Sequence, residues 1–123
     1  PDFAKKVANL EIKVEALDFT ERRIFSKLSA GDAVGPESSM LKCHGSELQQ
    51  AITELVLEAA GPRAFAQVRD SWAHLGDSNE KTPVPDHFIT AAPNYFNYRK
   101  TSIYAGSNEI QRNIMAKLIL GVA

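Results

Sequence analysis

Residues 98–121, YRKTSIYAGSNEIQRNIMAKLILG, carry the reading on which the fold turns. Two aromatic residues, Tyr98 and Tyr104, approach a break at Ala105-Gly106. Behind the break, Ser107 is an N-cap candidate, and Glu109 falls in the first turn, where a carboxylate meets the positive end of the helix dipole. Ile110, Ile114 and Leu118, joined by Met115 and Ile119, supply an apolar face at helical spacing, and Gly121 closes the segment. The stretch predicts a capped helix that packs on other helices and is entered through a glycine turn.

The upstream sequence supplies those partners. Phe3, Val7, Leu10, Val14, Leu17, Ile24 and Leu28 recur at spacings of 4, 3, 4, 3, 7 and 4, the seam of a long helix from Phe3 to Leu28. An intramolecular bundle is the preferred reading of this seam over a coiled coil. Gly31 is a C-cap candidate, and Pro36 followed by Glu37 is a start signal for a second helix running to about Ala60. Its apolar set includes Met40, Leu41, Leu48, Ala51, Ile52, Leu55 and Val56, while Gly45 and Ser46 allow a neighbouring helix to approach closely. Gly61-Pro62 ends it. Residues 61–85 are the least regular, with a short helical segment expected within Ala64–Leu75 that turns Phe65, Val68 and Trp72 inward, then a polar loop over Gly76–Pro83. A third helix is expected from Asp86 to about Ser102, kinked or started late by Pro93. No strand pattern stands out. The reading is an all-α antiparallel four-helix bundle.

At 123 residues the chain fits a single helical domain, and 44% hydrophobic with 24% charged residues is ordinary globular composition. The net charge of −1 makes no electrostatic case for nucleic acid or an anionic membrane. No apolar run approaches the ~20 residues that span a bilayer, so no membrane insertion is expected. The start, Pro1-Asp2-Phe3-Ala4-Lys5-Lys6, lacks the apolar stretch of a signal peptide, and the lone Cys43 suits a reducing compartment, so a cytoplasmic setting is expected. Cys43 reads as a packed thiol. His44 reads as a satisfied interface histidine, with no metal pair, and no metal site is expected anywhere. Trp72, Phe88, Tyr95, Phe96 and Tyr98 read as core or interface packing, and Arg99 and Lys100 as either phosphate partners or solvated cations.

The tract Ile103–Ile114, with Leu120-Gly121 at its end, resembles the C-terminal helix of the flavin-dependent acyl-CoA dehydrogenases. Ser39–Leu48 is similar to that family's small-residue helix, which precedes its cofactor-contacting turn. With the helical hairpin at Phe3–Ala60, the resemblance spans nearly the whole chain. It implies the C-terminal third of a longer chain, behind an N-terminal helical domain and a small β domain. It also implies α,β-dehydrogenation of an acyl-CoA thioester, with the α-hydrogen leaving as a proton and the β-hydrogen passing as hydride to FAD. Homo-oligomers, dimers or tetramers, are usual, and an electron-transfer flavoprotein is the usual acceptor. By the same resemblance, Gly106 lies where backbone approaches the flavin or thioester closely, and Tyr104 lies beside the acyl-thioester. Ser107 and Glu109 match contacts to the phosphate-adenine portion of FAD, Glu109 being better suited to a ribose hydroxyl or adenine than to phosphate. Read without the motif, both residues are a simple helix cap.

Two departures stand against the pattern. Ala105 occupies the position where many members carry their catalytic glutamate, and a methyl group accepts no proton, so no catalytic residue is assigned. The base then comes from residues absent here, from a partner subunit, or from nowhere in a degenerate subunit; the first is preferred. At the turn after the second helix, Leu57 replaces a glutamine and Gly61 alone survives of a glycine pair that contacts the adenine of a neighbour's FAD. Arg63 is a substitute partner there or a plain surface arginine. The favoured function is an FAD- and substrate-site domain, inactive as an isolated piece. The rivals are a non-catalytic partner subunit of a heteromeric dehydrogenase and a helical self-association module without flavin.

Overall fold

The computed structural model describes residues 2–33, 35–65 and 85–122. The expectations for Val68, Trp72, the helical segment beyond Phe65 and the 76–83 loop lie outside the described residues. Four helices form, α1 (Asp2–Ser29), α2 (Glu37–Ala60), α3 (Ala91–Tyr98) and α4 (Asn108–Leu120), and no strand occurs among the described residues. The stops are those expected of the local chemistry. Gly31 and Gly121 take left-handed φ of +90° and +65° beyond α1 and α4, where a Cβ would be strained. Pro36 stands at the N-cap of α2.

The helix expected from Asp86 breaks into three pieces. A 3-10 turn at Asp86–Phe88 precedes α3, and another at Arg99–Ser102 follows it. Pro93 starts the helix late rather than kinking it. It sits in the first turn of α3, where its missing N–H would have had no intrahelical partner.

α1 and α2 form an antiparallel hairpin, tied at one end by Lys27–Glu37 at 2.9 Å and near the other by Lys6–Glu58 at 2.7 Å. α2 is the centre of the molecule, and α1, α3 and α4 all pack against it. The buried residues around it are small or polar: Ser39, Cys43, Ser46 and Thr53 on α2, Ala91 and Ala92 on α3, with Ala64, Thr101 and Asn108. Gly45 lets α1 come in over α2, with the Leu17 side chain 4.0 Å from where a Cβ would stand.

The packing corrects three expectations. The α1 seam faces α2 but buries none of its residues, and Phe3, Val14 and Leu28 stay exposed. Phe65, expected inward, is 64% exposed. The apolar face of α4 points outward, with Ile110, Ile114, Leu118 and Ile119 exposed while Asn108 is buried. Large side chains stay outside because close helix approach uses the small ones.

Candidate functional site

The turn between α3 and α4 is held by a polar network on α2 that the sequence reading did not single out. Asn108 is 4% exposed, and its Oδ1 accepts from Lys42 Nζ at 2.7 Å and from Ser46 Oγ at 3.1 Å. Its carbonyl faces the Cys43 thiol at 3.7 Å, so Cys43 is the packed thiol expected of it. One turn further, Arg112 pairs with Glu47. These contacts seat the first turn of α4 on the N-terminal half of α2.

On the other side, the Gln50 amide donates to the Arg99 carbonyl at 3.0 Å and to Thr101 Oγ1 and Ser102 Oγ, both at 3.3 Å. Arg99 turns inward. Its Nη2 donates to the Gln50 carbonyl at 2.7 Å and to Thr53 Oγ1 at 3.2 Å, and its guanidinium lies 4.4 Å from the Tyr95 ring centre. The Nε and Nη2 donors of Arg99 are thus committed to the protein, to the carbonyls of Tyr95 and Gln50 and the Thr53 hydroxyl. Lys100 is exposed and donates to Asn97.

Between these anchors runs the turn itself. Tyr104, Ala105, Gly106 and Glu109 are exposed and adjacent, and Ser107 is half-buried. Ala105 takes φ +56° and Gly106 φ +82°, two successive left-handed residues, of which the first is uncommon for a residue with a Cβ. Ser107 is the N-cap as expected, its Oγ accepting from the Ile110 N–H at 3.4 Å. Glu109 is held below the usual carboxylate range by its own backbone N–H first, then by the Ser107 hydroxyl, with smaller help from Arg112 and Lys42. The positive end of α4 is therefore already answered by an ionised carboxylate of the chain. Such an end welcomes a hydroxyl or amine donor at Glu109 more readily than a second anion.

Gln111, also missed, reaches back from the first turn of α4 and donates to the Ala105 carbonyl at 3.2 Å. Its partner is a backbone carbonyl in an irregular turn, for which sequence carries no signal.

Gly61 belongs elsewhere. It caps α2 with φ +66° and ψ −165°, its N–H donating to the carbonyls of Glu58 and Leu57. It lies fifteen residues along α2 from Ser46, roughly 20 Å at 1.5 Å rise per residue. Tyr104, Gly106, Ser107 and Glu109 are thus one cluster, and Gly61 is a second place at the far end of the central helix. Two apolar grooves lie on the hairpin and not at the turn. One of 790 Å³ is lined by Phe3, Val7, Leu10, Val14, Ile52 and Phe88 among others. The other, of 520 Å³, includes Leu17, Met40, His44 and Leu48. His44 is exposed, 4.0 Å from Glu47, and no metal-binding cluster occurs among the described residues. No helix among the described residues is long and apolar enough to cross a membrane.

Residues 1–120 match a protein family described as "Acyl-CoA dehydrogenase, C-terminal domain". No curated protein and no solved structure matched the chain.

Proposed function

The chain belongs to the family of acyl-CoA dehydrogenase C-terminal domains, and from that premise we propose that it forms one wall of a flavin and acyl-CoA thioester site within a longer dehydrogenase. The family is flavin-dependent, acts in general on acyl-CoA and assembles as oligomers. The observation that carries the proposal is the open turn at Tyr104, Ala105 and Gly106, exposed with Glu109 beyond it and braced from both flanks.

The residues fit FAD in a particular way. Gly106 presents exposed backbone at a left-handed turn, which suits close approach of a flat ring or a thioester on the side that the Gln111 amide leaves open. Glu109, its carboxyl kept low by its own backbone N–H and then by the Ser107 hydroxyl, accepts a hydrogen bond from a ribose hydroxyl or the adenine amine and leaves phosphate to other parts of the protein. Gly61, a helix length away, serves the adenine end of a different FAD, that of a neighbouring subunit. Tyr104 stands exposed beside Gly106, where an acyl-thioester would lie. FAD, when bound, accepts the hydride from the acyl β-carbon. Ala105 takes no proton, so the α-proton goes to a carboxylate outside this chain, on a preceding segment of the same polypeptide. An electron-transfer flavoprotein is the proposed acceptor and the cytoplasm the proposed setting.

The test is the visible absorbance of the full-length parent, followed by anaerobic addition of acyl-CoA. A flavin band that bleaches supports a complete dehydrogenase. Ala105 itself favours one second reading, a non-catalytic subunit of a heteromeric enzyme, and bound flavin that stays oxidised against a broad thioester panel would establish that instead. A folded parent without flavin would leave a helical self-association module.

A further inference from the structure

We infer that Gln111 is a positioning residue, which clamps the Ala105–Gly106 turn in the shape that the flavin or thioester meets; this rests on the site proposed above. Three observations converge on its side-chain amide. It donates to the Ala105 carbonyl at 3.2 Å, across six residues of chain. That carbonyl belongs to an alanine at φ +56°, a conformation that costs energy for any residue with a Cβ and persists only where neighbours hold it. A Cβ built on Gly106 would lie 2.6 Å from Gln111 Nε2, so the amide lies in the space that a side chain at 106 would fill.

Gly106 therefore has two roles, supplying a φ of +82° and leaving a seat for the amide. The clamp works from a fixed base. The Gln111 N–H donates to the Ser107 carbonyl at 2.9 Å, and α4 is fastened to α2 through Asn108 and through Arg112–Glu47. Among the described residues, Gln111 is the side chain that donates a hydrogen bond to the backbone of 103–106. Releasing it leaves Ala105 free to relax to negative φ, which moves the backbone facing the ligand. Displacements of about 1 Å in a reacting geometry cost up to roughly 100-fold in rate.

The experiment uses the full-length parent with Gln111→Ala, Gln111→Glu, Gly106→Ala and the Gln111→Ala/Gly106→Ala pair. Gln111→Glu keeps the size and removes the donor. Gln111→Ala and Gln111→Glu should each lower kcat with acyl-CoA roughly tenfold or more, with KM changed much less and a shifted spectrum of the bound flavin. Gly106→Ala should evict the amide and reproduce the loss, and the pair should be far less damaging than the product of the singles. Wild-type kcat and flavin spectrum in both Gln111 variants would overturn the clamp, as would losses that multiply. If the parent holds no flavin, the site reading fails, and a thermal-denaturation cycle on the same four proteins decides the clamp separately. Coupling between 106 and 111 sustains it, and additivity overturns it.

Discussion

Ala105 joins two properties that pull in different directions, a side chain that takes no proton and a backbone conformation suited to glycine. The second makes a stability prediction free of any assumption about catalysis. Ala105→Gly relieves the left-handed strain, offset in part by the greater freedom glycine has when unfolded, and should stabilise the fold by about 0.5–1 kcal/mol in denaturant melts. A variant no more stable than wild type would mean that the turn is not left-handed at 105. Glu109 makes a second prediction. Its carboxyl is depressed by its own N–H and the Ser107 hydroxyl, so its contribution to stability is present above the ordinary glutamate range of about 4.3 and is lost as pH falls through the depressed folded value. Glu109→Gln should therefore lower the melting temperature of the apoprotein at neutral pH and converge on wild type in acid. Equal melting curves at all pH values would count against the cap. The effect is small, because the carboxylate is fully exposed. At Gly61 the geometry asks for glycine whether or not a nucleotide comes near. Its φ of +66° with ψ −165° lies in a region that is almost entirely glycine's, so Gly61→Ala should cost ~1–3 kcal/mol although its Cβ would meet nothing within 4 Å. Loss of stability alone at 61 is thus no evidence for a cofactor contact.

At the scale of elements, α4 is seated on α2 by the buried Asn108 amide and the Arg112–Glu47 pair and not by its apolar stripe. Asn108→Ala leaves Lys42 Nζ and Ser46 Oγ without their shared acceptor and opens a gap beside Cys43. A loss of about 2–3 kcal/mol is expected in equilibrium unfolding, together with faster amide exchange along α4. A loss below about 0.5 kcal/mol would show that the helix docks by other means. The helix and its ends were legible in the sequence: Ser107, Gly121, Pro36 and Gly31 each act where their backbone chemistry places them. The ambiguity at Pro93 resolved on equally local grounds. Orientation was not legible. Periodicity locates an apolar stripe but not what covers it, and assigning Ile110, Ile114 and Leu118 to the core assumes that the largest groups go inside. Here α4 approaches α2 through Asn108, Cys43 and Ser46, residues small enough for close contact, and the bulky stripe is turned out. The candidate site divides in the same way. Tyr104 through Glu109 were legible as a motif, whereas Gln111 and Lys42 act through partners that only three-dimensional placement supplies.

For the whole molecule, the fully buried side chains among the described residues are small or polar, and many large apolar ones are exposed. Ile12 and Phe19 are 63% and 66% exposed on α1, two turns apart on the side away from Leu10 and Val14, which face α2. Ile114 and Leu118 form a similar row on α4. Exposed apolar rows of this kind mark contact surfaces, and the family's oligomers offer the occupant. α1 is the longer of the two candidates, a helix of 28 residues with no buried position. Its outer face is the predicted subunit contact. In the full-length parent, Ile12→Lys with Phe19→Lys should leave the helical circular dichroism intact, since neither side chain supports the bundle, while weakening assembly. Burying two such groups is worth roughly 3–5 kcal/mol, so the association constant should fall by at least a hundredfold and sedimentation should shift toward a smaller species. The same pair at Ile114 and Leu118 is the internal comparison. If the α1 variant sediments like wild type and the α4 variant does not, the interface belongs to α4 and not to the outer face of α1.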